Sequence, residues 1–350
     1  MITDIIEPEV FMFTDKVVMV TGGTGSIGSE LVRNLLSYRP KAVRIFSRDE
    51  SKQFELQQEF KEYDNIRYLI GDIRDKQRLS YAMEGVDFLF HAAALKHVPS
   101  CEYNPMEAVK TNVFGVQNII ETAIEHNVEK VIAISTDKVV NPTNTMGATK
   151  LLSEKLVSAA GFYKGSKRTI FACVRFGNVM GSRGSVIPLF RNQIAEGKPV
   201  TITHSEMTRF MMSIPQAAQL VIDAANHSQG GEIFVLKMPI LKIADLAKCL
   251  IDSYEESGNR RYFGEIIETG IRPGEKLYEE LMTLEESERA QENEYMYIIP
   301  SLFNTQEQSY AGFRKAPHQE YSSKTARQMH TSEIKHLIEN NGLGFSKRWI

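Results

Sequence analysis

Lys16–Gly28 reads KVVMVTGGTGSIG. The first six residues are a short β-branched run that stops at glycine, the pattern of a buried strand. Behind them the glycines fall as Gly22-x-x-Gly25-x-x-Gly28. Ser26–Ser37 then shows helical spacing, with Ile27, Leu31, Leu35 and Leu36 on one face. Strand, glycine turn and helix in that order make a dinucleotide cradle. The glycines allow a tight turn and close backbone approach, and the pyrophosphate sits on the helix N-terminus. Gly22, Thr24, Gly25, Ser26, Ile27 and Gly28 are the candidate contacts.

Outward from this turn, strands and helices alternate. Strands are expected at 42–46, 66–70, 88–92, 130–134 and 169–175, and helices at 50–62, 105–126 and about 144–160. Such alternation builds a parallel sheet covered on both faces. Beyond Arg175 it gives way to Gly/Pro-rich stretches (181–188, 197–199, 272–274) around short strands at 200–202 and 233–236 and helices at 215–226 and 243–253. The expected fold is therefore α/β: a Rossmann-type doubly wound parallel sheet with a smaller, discontinuous α/β lobe. The polar, Gln/Ser-rich stretch from about 301 to 324 reads as a loose arm, followed by a helix near 331–340.

A formal charge of −3 with dispersed Lys and Arg gives no pull toward nucleic acid or an anionic membrane. No apolar stretch approaches a membrane span. Met1–Phe13 has neither the basic start nor the apolar core of a signal peptide. Cys101, Cys173 and Cys249 are odd in number and widely spaced, which argues against a disulfide framework or a metal site. The expected compartment is the reducing cytoplasm.

Strand ends supply the remaining cofactor candidates. After the second strand come Ser47 and Arg48, with Lys52 a turn later. An NAD site would place an acid there for the ribose hydroxyl, whereas Arg and Lys suit a 2′-phosphate, so NADP is favoured over NAD. Asp49 could serve the ribose or cap the next helix. Asp72 and Ile73 after the third strand would lie beside adenine, and Ala92 and Ala93 offer small side chains where the chain passes the cofactor. The fifth strand ends in Ser135-Thr136-Asp137-Lys138, at the sheet edge where ligands bind in such folds.

These pieces resemble the extended short-chain dehydrogenase/reductases. More closely, they resemble the soluble UDP-N-acetylglucosamine 4,6-dehydratases of bacterial surface-polysaccharide biosynthesis. The matching stretches are Thr21–Gly28, Phe46–Glu50, His91–Pro99, Lys110–Gly115, Ser135–Lys150, Arg175–Pro188, Met207–Met211 and Arg272–Lys276. The resemblance implies that tightly bound NADP⁺ oxidises C4 of the sugar, water is lost across C5 and C6, and the cofactor is regenerated at each turnover. It makes Asp137 the acid for the leaving hydroxyl, Lys138 the C5 base, and Lys150 the holder of the nicotinamide ribose. Thr136 and Met146 occupy the family's hydroxyl and tyrosine positions. Methionine has no ionisable proton, so the acceptor of the C4-hydroxyl proton stays open among Thr136, a water and ionised Asp137. Lys138 must be neutral to act, and Lys150, the nicotinamide and burial are expected to lower its pKa. Lys96, Asn178, Arg183, Arg209, Arg272 and Glu275 are implied substrate contacts, while His97 receives no proton-transfer role.

The implied organisation is an NADP domain (14–176 with parts of about 205–236), a UDP-sugar lobe (about 177–204 and 237–300) and a C-terminal arm (301–350), in a homo-oligomer. Two alternatives are a nucleotide-sugar epimerase, which by family habit keeps the tyrosine, and an inactive NADP-binding sensor. Asn141–Lys150 is similar to the Met-bearing members that retain C5 configuration, but the C5 outcome is open.

Overall fold

The computed structural model describes residues 12–258, 261–303 and 308–345. The N-terminal residues 1–11, most of the stretch read above as lacking a signal peptide, lie outside them. The chain runs β1 (Val17–Thr21), α1 (Ser26–Ser37), β2 (Ala42–Ser47), α2 (Glu50–Glu59), β3 (Ile66–Ile70), α3 (Lys76–Met83), β4 (Phe88–His91), α4 (Val98–Tyr103) and α5 (Pro105–Val109). Next come α6 (Gly115–Glu125), β5 (Lys130–Ile134), α7 (Thr145–Tyr163), β6 (Ile170–Arg175), β7 (Asn178–Val179), α8 (Val186–Ala195), β8 (Val200–Ile202), β9 (Thr208–Met212) and α9 (Ile214–His227). It closes with β10 (Ile233–Leu236), β11 (Ile240–Lys242), α10 (Ile243–Glu256), β12 (Ile266–Glu268), β13 (Glu280–Met282), α11 (Leu284–Arg289), β14 (Gln291–Glu292), β15 (Met296–Ile299), β16 (Arg314–Lys315), β17 (Tyr321–Ser322) and α12 (Thr331–Asn340).

The main sheet has the order β16-β14-β15-β10-β6-β5-β4-β1-β2-β3. From β3 to β10 every neighbour is parallel, and β15 adds antiparallel to β10. Strand order reverses between β1 and β4, which opens a crevice at their C-terminal ends. The apolar runs of β1, β4 and β5 are buried because helices cover both faces. A second apolar cluster, built from α8, β8, β9, α10 and α12, forms the smaller lobe.

Three expectations change. The continuous helix over 105–126 is broken by a π-helical turn at Lys110–Phe114. There Asn112 accepts the Leu95 N–H at 2.9 Å and donates to the Leu95 carbonyl at 3.0 Å and to Thr149 Oγ1 at 3.1 Å. The wide turn lets a polar side chain hold the loop that follows β4, a use typical of π-bulges. Helices α3 and α8 and strand β9 were not anticipated. β9 is buried throughout, so it shows no alternation. The tail is not a loose arm in its described parts. β16 pairs with β14, α12 packs on α10, and the buried Tyr310 hydroxyl donates to Glu232 at 3.0 Å. Residues 304–307 of that stretch lie outside the description.

Candidate active site

The glycine turn is shaped by the backbone around it. Gly22 has φ +68°, and its N–H donates to the Phe46 carbonyl at 2.8 Å. A β-carbon on Gly22 would stand 2.7 Å from the Ala93 nitrogen, and one on Gly28 would run into the Gly22 carbonyl oxygen. Gly25 meets only the Gly22 oxygen, at 3.1 Å, so its outer side stays open. Glycine at 22 and 28 is therefore a packing requirement, and the cradle suits a close-approaching pyrophosphate at the N-terminus of α1. Thr24 Oγ1 donates to Ser47 Oγ at 3.1 Å. Gln53, unremarked in the sequence, fixes Ser47 by donating to its carbonyl at 3.1 Å and its hydroxyl at 3.3 Å.

Arg48 lies 3.5 Å from Asp72. Asp72 also receives Arg74 twice; burial pushes its carboxyl up, but the two arginines and the Arg74 backbone N–H hold it below the usual range. Asp49 caps α2 by accepting the Lys52 N–H at 3.0 Å, and the Lys52 ammonium folds back onto it at 2.5 Å. Ile73 is anchored from α6, and Asp72 beside it keeps its carboxylate on Arg48 and Arg74. The Ile73 side chain is packed against Gly115 and its carbonyl is taken by Asn118, so α6 claims both. Ala92 hydrogen-bonds to the Thr21 carbonyl at 2.9 Å. His91 below it pairs through Nδ1 with Thr21 Oγ1 at 2.7 Å and is pushed to a pKa of about 3 by burial and Lys150. Lys150, buried one turn beyond Met146, donates to the Ile134 carbonyl at 2.5 Å and is lowered by burial.

Beyond β5 the chain is clamped to β6: Ser135 N–H donates to Val174 and Asp137 N–H to Phe176. A 3₁₀ turn at Asp137–Val139 then points Asp137 and Lys138 toward the smaller lobe. Thr136 Oγ1 donates to Asp137 Oδ1 at 2.8 Å, and Lys138 Nζ donates to the same oxygen at 2.9 Å. Asp137 is fully buried, and its Oδ2 has no hydrogen-bond partner. Opposite stands a residue that sequence reasoning missed. Glu279, 3% exposed, places Oε1 3.6 Å from Lys138 Nζ and 3.9 Å from Arg209 Nε.

This arrangement reverses the expectation for Lys138. Burial lowers its pKa, but Asp137 and Glu279 together outweigh burial and Arg209, so the amine is held as an ammonium. Two facing carboxylates do what Lys150 was expected to undo.

Lys138, Asn178, Arg209, Glu275 and Glu279 line one cavity of about 140 Å³, closed on one side by Val98. Met146 is buried in a small apolar cluster with Cys101 and Ala108, against which Val98 also packs. Arg272 is half exposed and pairs with Glu275 at 3.8 Å. Arg183 goes to the cofactor side instead: its guanidinium donates to the Thr24 carbonyl and its N–H to Ser26 Oγ at 3.2 Å. Lys96 follows it, donating to the Arg183 carbonyl at 3.1 Å. A second cavity of about 320 Å³ is bounded there by Thr24, Ser26, Lys52 and Arg183. Under both sites Arg175 joins Glu154 and Glu286, and Glu154 accepts the Ser135 hydroxyl at 2.7 Å.

Residues 18–301 match the family model described as "Polysaccharide biosynthesis protein". The chain is 48% identical over 294 residues to a UDP-N-acetylglucosamine 4,6-dehydratase (inverting) of Campylobacter jejuni, covering 83% of this chain and 85% of that one. It is 42% identical over 337 residues to a UDP-glucose 4-epimerase of Rickettsia canadensis, covering 93% and 96%. Among solved structures, Pen from Bacillus thuringiensis superposes with a TM-score of 0.89 at 49% identity, covering 95% of this chain and all of that one. Among the described residues, no helix is long and apolar enough to cross a membrane.

Proposed function

The chain belongs to the polysaccharide biosynthesis protein family, and from that premise we propose that it is a UDP-N-acetylglucosamine 4,6-dehydratase. The observation that carries this reading is the Thr136–Asp137–Lys138 cluster, which sets an acid and an amine 2.9 Å apart, with the amine on the wall of a cavity and the acid buried behind it. Elimination of water needs both: a proton donor at the leaving C6 hydroxyl and an acceptor at C5, whose proton is acidified by a ketone at C4. A 4-epimerase has no use for that pair and needs a base at the position that Met146 fills, so the epimerase relative is the weaker guide.

The cofactor of this reading is NADP, carried through each turnover. The steric fit of Gly22 and Gly28 supports a dinucleotide, and Arg48 beside Ser47 supports a 2′-phosphate. Thr24, Ser26 and Arg183 would hold the pyrophosphate, and Lys150 the nicotinamide ribose. When bound, the nicotinamide removes a hydride from C4 and later delivers it to C6. The chain's own groups move the protons. Asp137 protonates the departing hydroxyl, and Lys138, as free amine, takes the C5 proton. Thr136, bonded to Asp137, offers the path for the C4-hydroxyl proton that methionine at 146 cannot accept. Asn178, Arg209, Arg272 and Glu275 would hold the UDP moiety in the smaller lobe. A homo-oligomer is part of the reading, supported by exposed Tyr103, Met106, Phe114, Leu152 and Phe162 on helices α4 to α7 and the turn within them. So is a cytoplasmic location.

The test is a pair of substitutions. Lys138→Ala should abolish C5 solvent exchange while leaving the protein folded and cofactor-bound. Asp137→Asn should stall after C4 oxidation and accumulate reduced cofactor. Normal exchange in the first, or full turnover in the second, removes that residue from its role.

A further inference from the structure

Resting on the dehydratase reading, one problem is left by the geometry: the base is an ammonium. Lys138 cannot take a proton from C5 until it has given one up. Asp137, 2.9 Å away, is an unsuitable receiver, because it must hold the proton destined for the C6 hydroxyl. A second receiver is in place. Glu279 Oε1 lies 3.6 Å from Lys138 Nζ, and Oε2 is buried without a hydrogen-bond partner. Its backbone is fixed at both ends, its N–H donating to Ser323 Oγ at 2.9 Å and its carbonyl accepting the Ser323 N–H at 2.8 Å. We propose that Glu279 is a proton-holding residue acting through Lys138, whose carboxylate takes the ammonium proton before C5 is attacked and returns it afterwards.

The groups facing Glu279 are Asp137 and Lys138 from the 137–139 turn, Arg209 from β9, and Lys276 from its own segment. Burial and Asp137 favour its protonated form, and these outweigh the three cations, so its carboxyl sits above the ordinary range. A carboxyl whose neutral form is favoured by burial is a better receiver for the Lys138 proton than a solvated carboxylate would be.

The proton count closes. At rest Asp137 and Glu279 are carboxylates and Lys138 is an ammonium. With the two electrons of C4 taken up by a bound nicotinamide, as that cofactor would supply, the C4-hydroxyl proton would pass through Thr136 to Asp137. Lys138 gives its proton to Glu279, leaving a free amine and a neutral acid. The amine removes the C5 proton while Asp137 protonates the C6 hydroxyl, and the C6–O bond breaks to release water. The Lys138 ammonium protonates C5 as the two electrons held by the cofactor would return to C6. Glu279 then hands its proton back. One water leaves the sugar with no net gain or loss of protons, and the hydrogens on the Lys138 amine, which exchange with solvent, are the ones that label C5.

The experiment compares the full chain, with its cofactor, against Glu279→Gln and Glu279→Asp in D₂O with UDP-N-acetylglucosamine. Two steps are read: cofactor reduction by absorbance in a single turnover, and deuterium entry at C5 by NMR. In Glu279→Gln, cofactor reduction should persist while C5 exchange falls about 100-fold near neutral pH. The lysine proton must then leave to solvent, so the residual exchange should climb about tenfold per pH unit, where the wild type is flat. Glu279→Asp should recover the flat profile. Exchange in Glu279→Gln at the wild-type rate with a flat profile overturns the proposal. Equal loss of reduction and exchange does so too, because it marks a structural role, as does a Glu279→Asp profile like that of the glutamine variant. If the wild-type chain neither reduces its cofactor nor exchanges C5, the dehydratase reading itself fails, a result distinct from any variant effect.

Discussion

Arg175→Met should destabilise the protein by about 3–5 kcal/mol, the cost of removing one partner from a buried charge cluster. Arg175 is 2% exposed, and its guanidinium meets Glu154 at 2.5 Å, Glu286 at 2.9 Å and the Leu281 carbonyl at 2.8 Å. Methionine fills much of the volume but leaves two carboxylates in the interior without the guanidinium that pairs with both. At about 2.1 cal/mol/K per residue, unfolding a chain of 350 residues carries an entropy of about 0.7 kcal/mol/K, so the melting temperature should fall by about 4–7 °C. The pH dependence is specific. In the native chain burial raises Glu286, but Arg175 outweighs it and holds the carboxyl below its unfolded value. Its contribution is therefore present above the unfolded pKa of about 4.3 and is lost as pH falls through the folded value. In the variant burial of Glu286 is no longer outweighed by Arg175, so its penalty is greatest at neutral pH and fades with acid. Thermal melts followed by circular dichroism between about pH 4 and pH 8 should show the gap narrowing toward the acid end. A loss of less than about 1 °C, or a gap independent of pH, would refute the buried-cluster argument.

Gly28→Ala should abolish dinucleotide binding, measured by cofactor fluorescence, because the new methyl meets backbone at Gly22 and Gly23 rather than a movable side chain; unaltered affinity would mean the loop is not the cradle. Arg48→Ala should reduce the preference for NADP over NAD about tenfold, and an unchanged ratio would move the phosphate contact elsewhere. Asp223 on α9 is pushed up to about 6 by burial, with Gln219 as its hydrogen-bond donor. Its folded pKa is above the unfolded one, so its favourable contribution is present below about pH 4 and lost as pH rises through about 6. Asp223→Asn should therefore raise the melting temperature near pH 8 and leave it little changed near pH 4, and the opposite order would contradict the assignment.

The parts of the fold legible in the sequence are those set by local rules. The run from β1 through the glycine turn to α1 shows itself through period and glycine placement, and the helix at the far end of the tail through its apolar spacing. The π turn was invisible because Lys110–Phe114 carries an ordinary helical pattern; only the distant Leu95 and Thr149 explain why Asn112 bulges out. The tail misled through its polar composition, since Tyr310 joins the main core beside Phe313 and bonds Glu232 without any continuous apolar run to signal it. Within the site, Asp137 and Lys138 announce themselves as neighbours in sequence. Glu279 sits in the acidic pair Glu279-Glu280, which reads as solvated surface. Only the antiparallel pairing of β13 with β17 and the approach of the 137–139 turn bury it. That missed carboxylate adds to the larger pull of Asp137, and the two together hold Lys138 charged.

The most direct test of the dehydratase reading is proton NMR of the purified chain with UDP-N-acetylglucosamine in D₂O and no added cofactor. The account predicts a new C6 methyl signal with deuterium at C5, and the ring couplings will assign C5 as retained or inverted. An unchanged sugar spectrum from protein shown to carry NADP would contradict it.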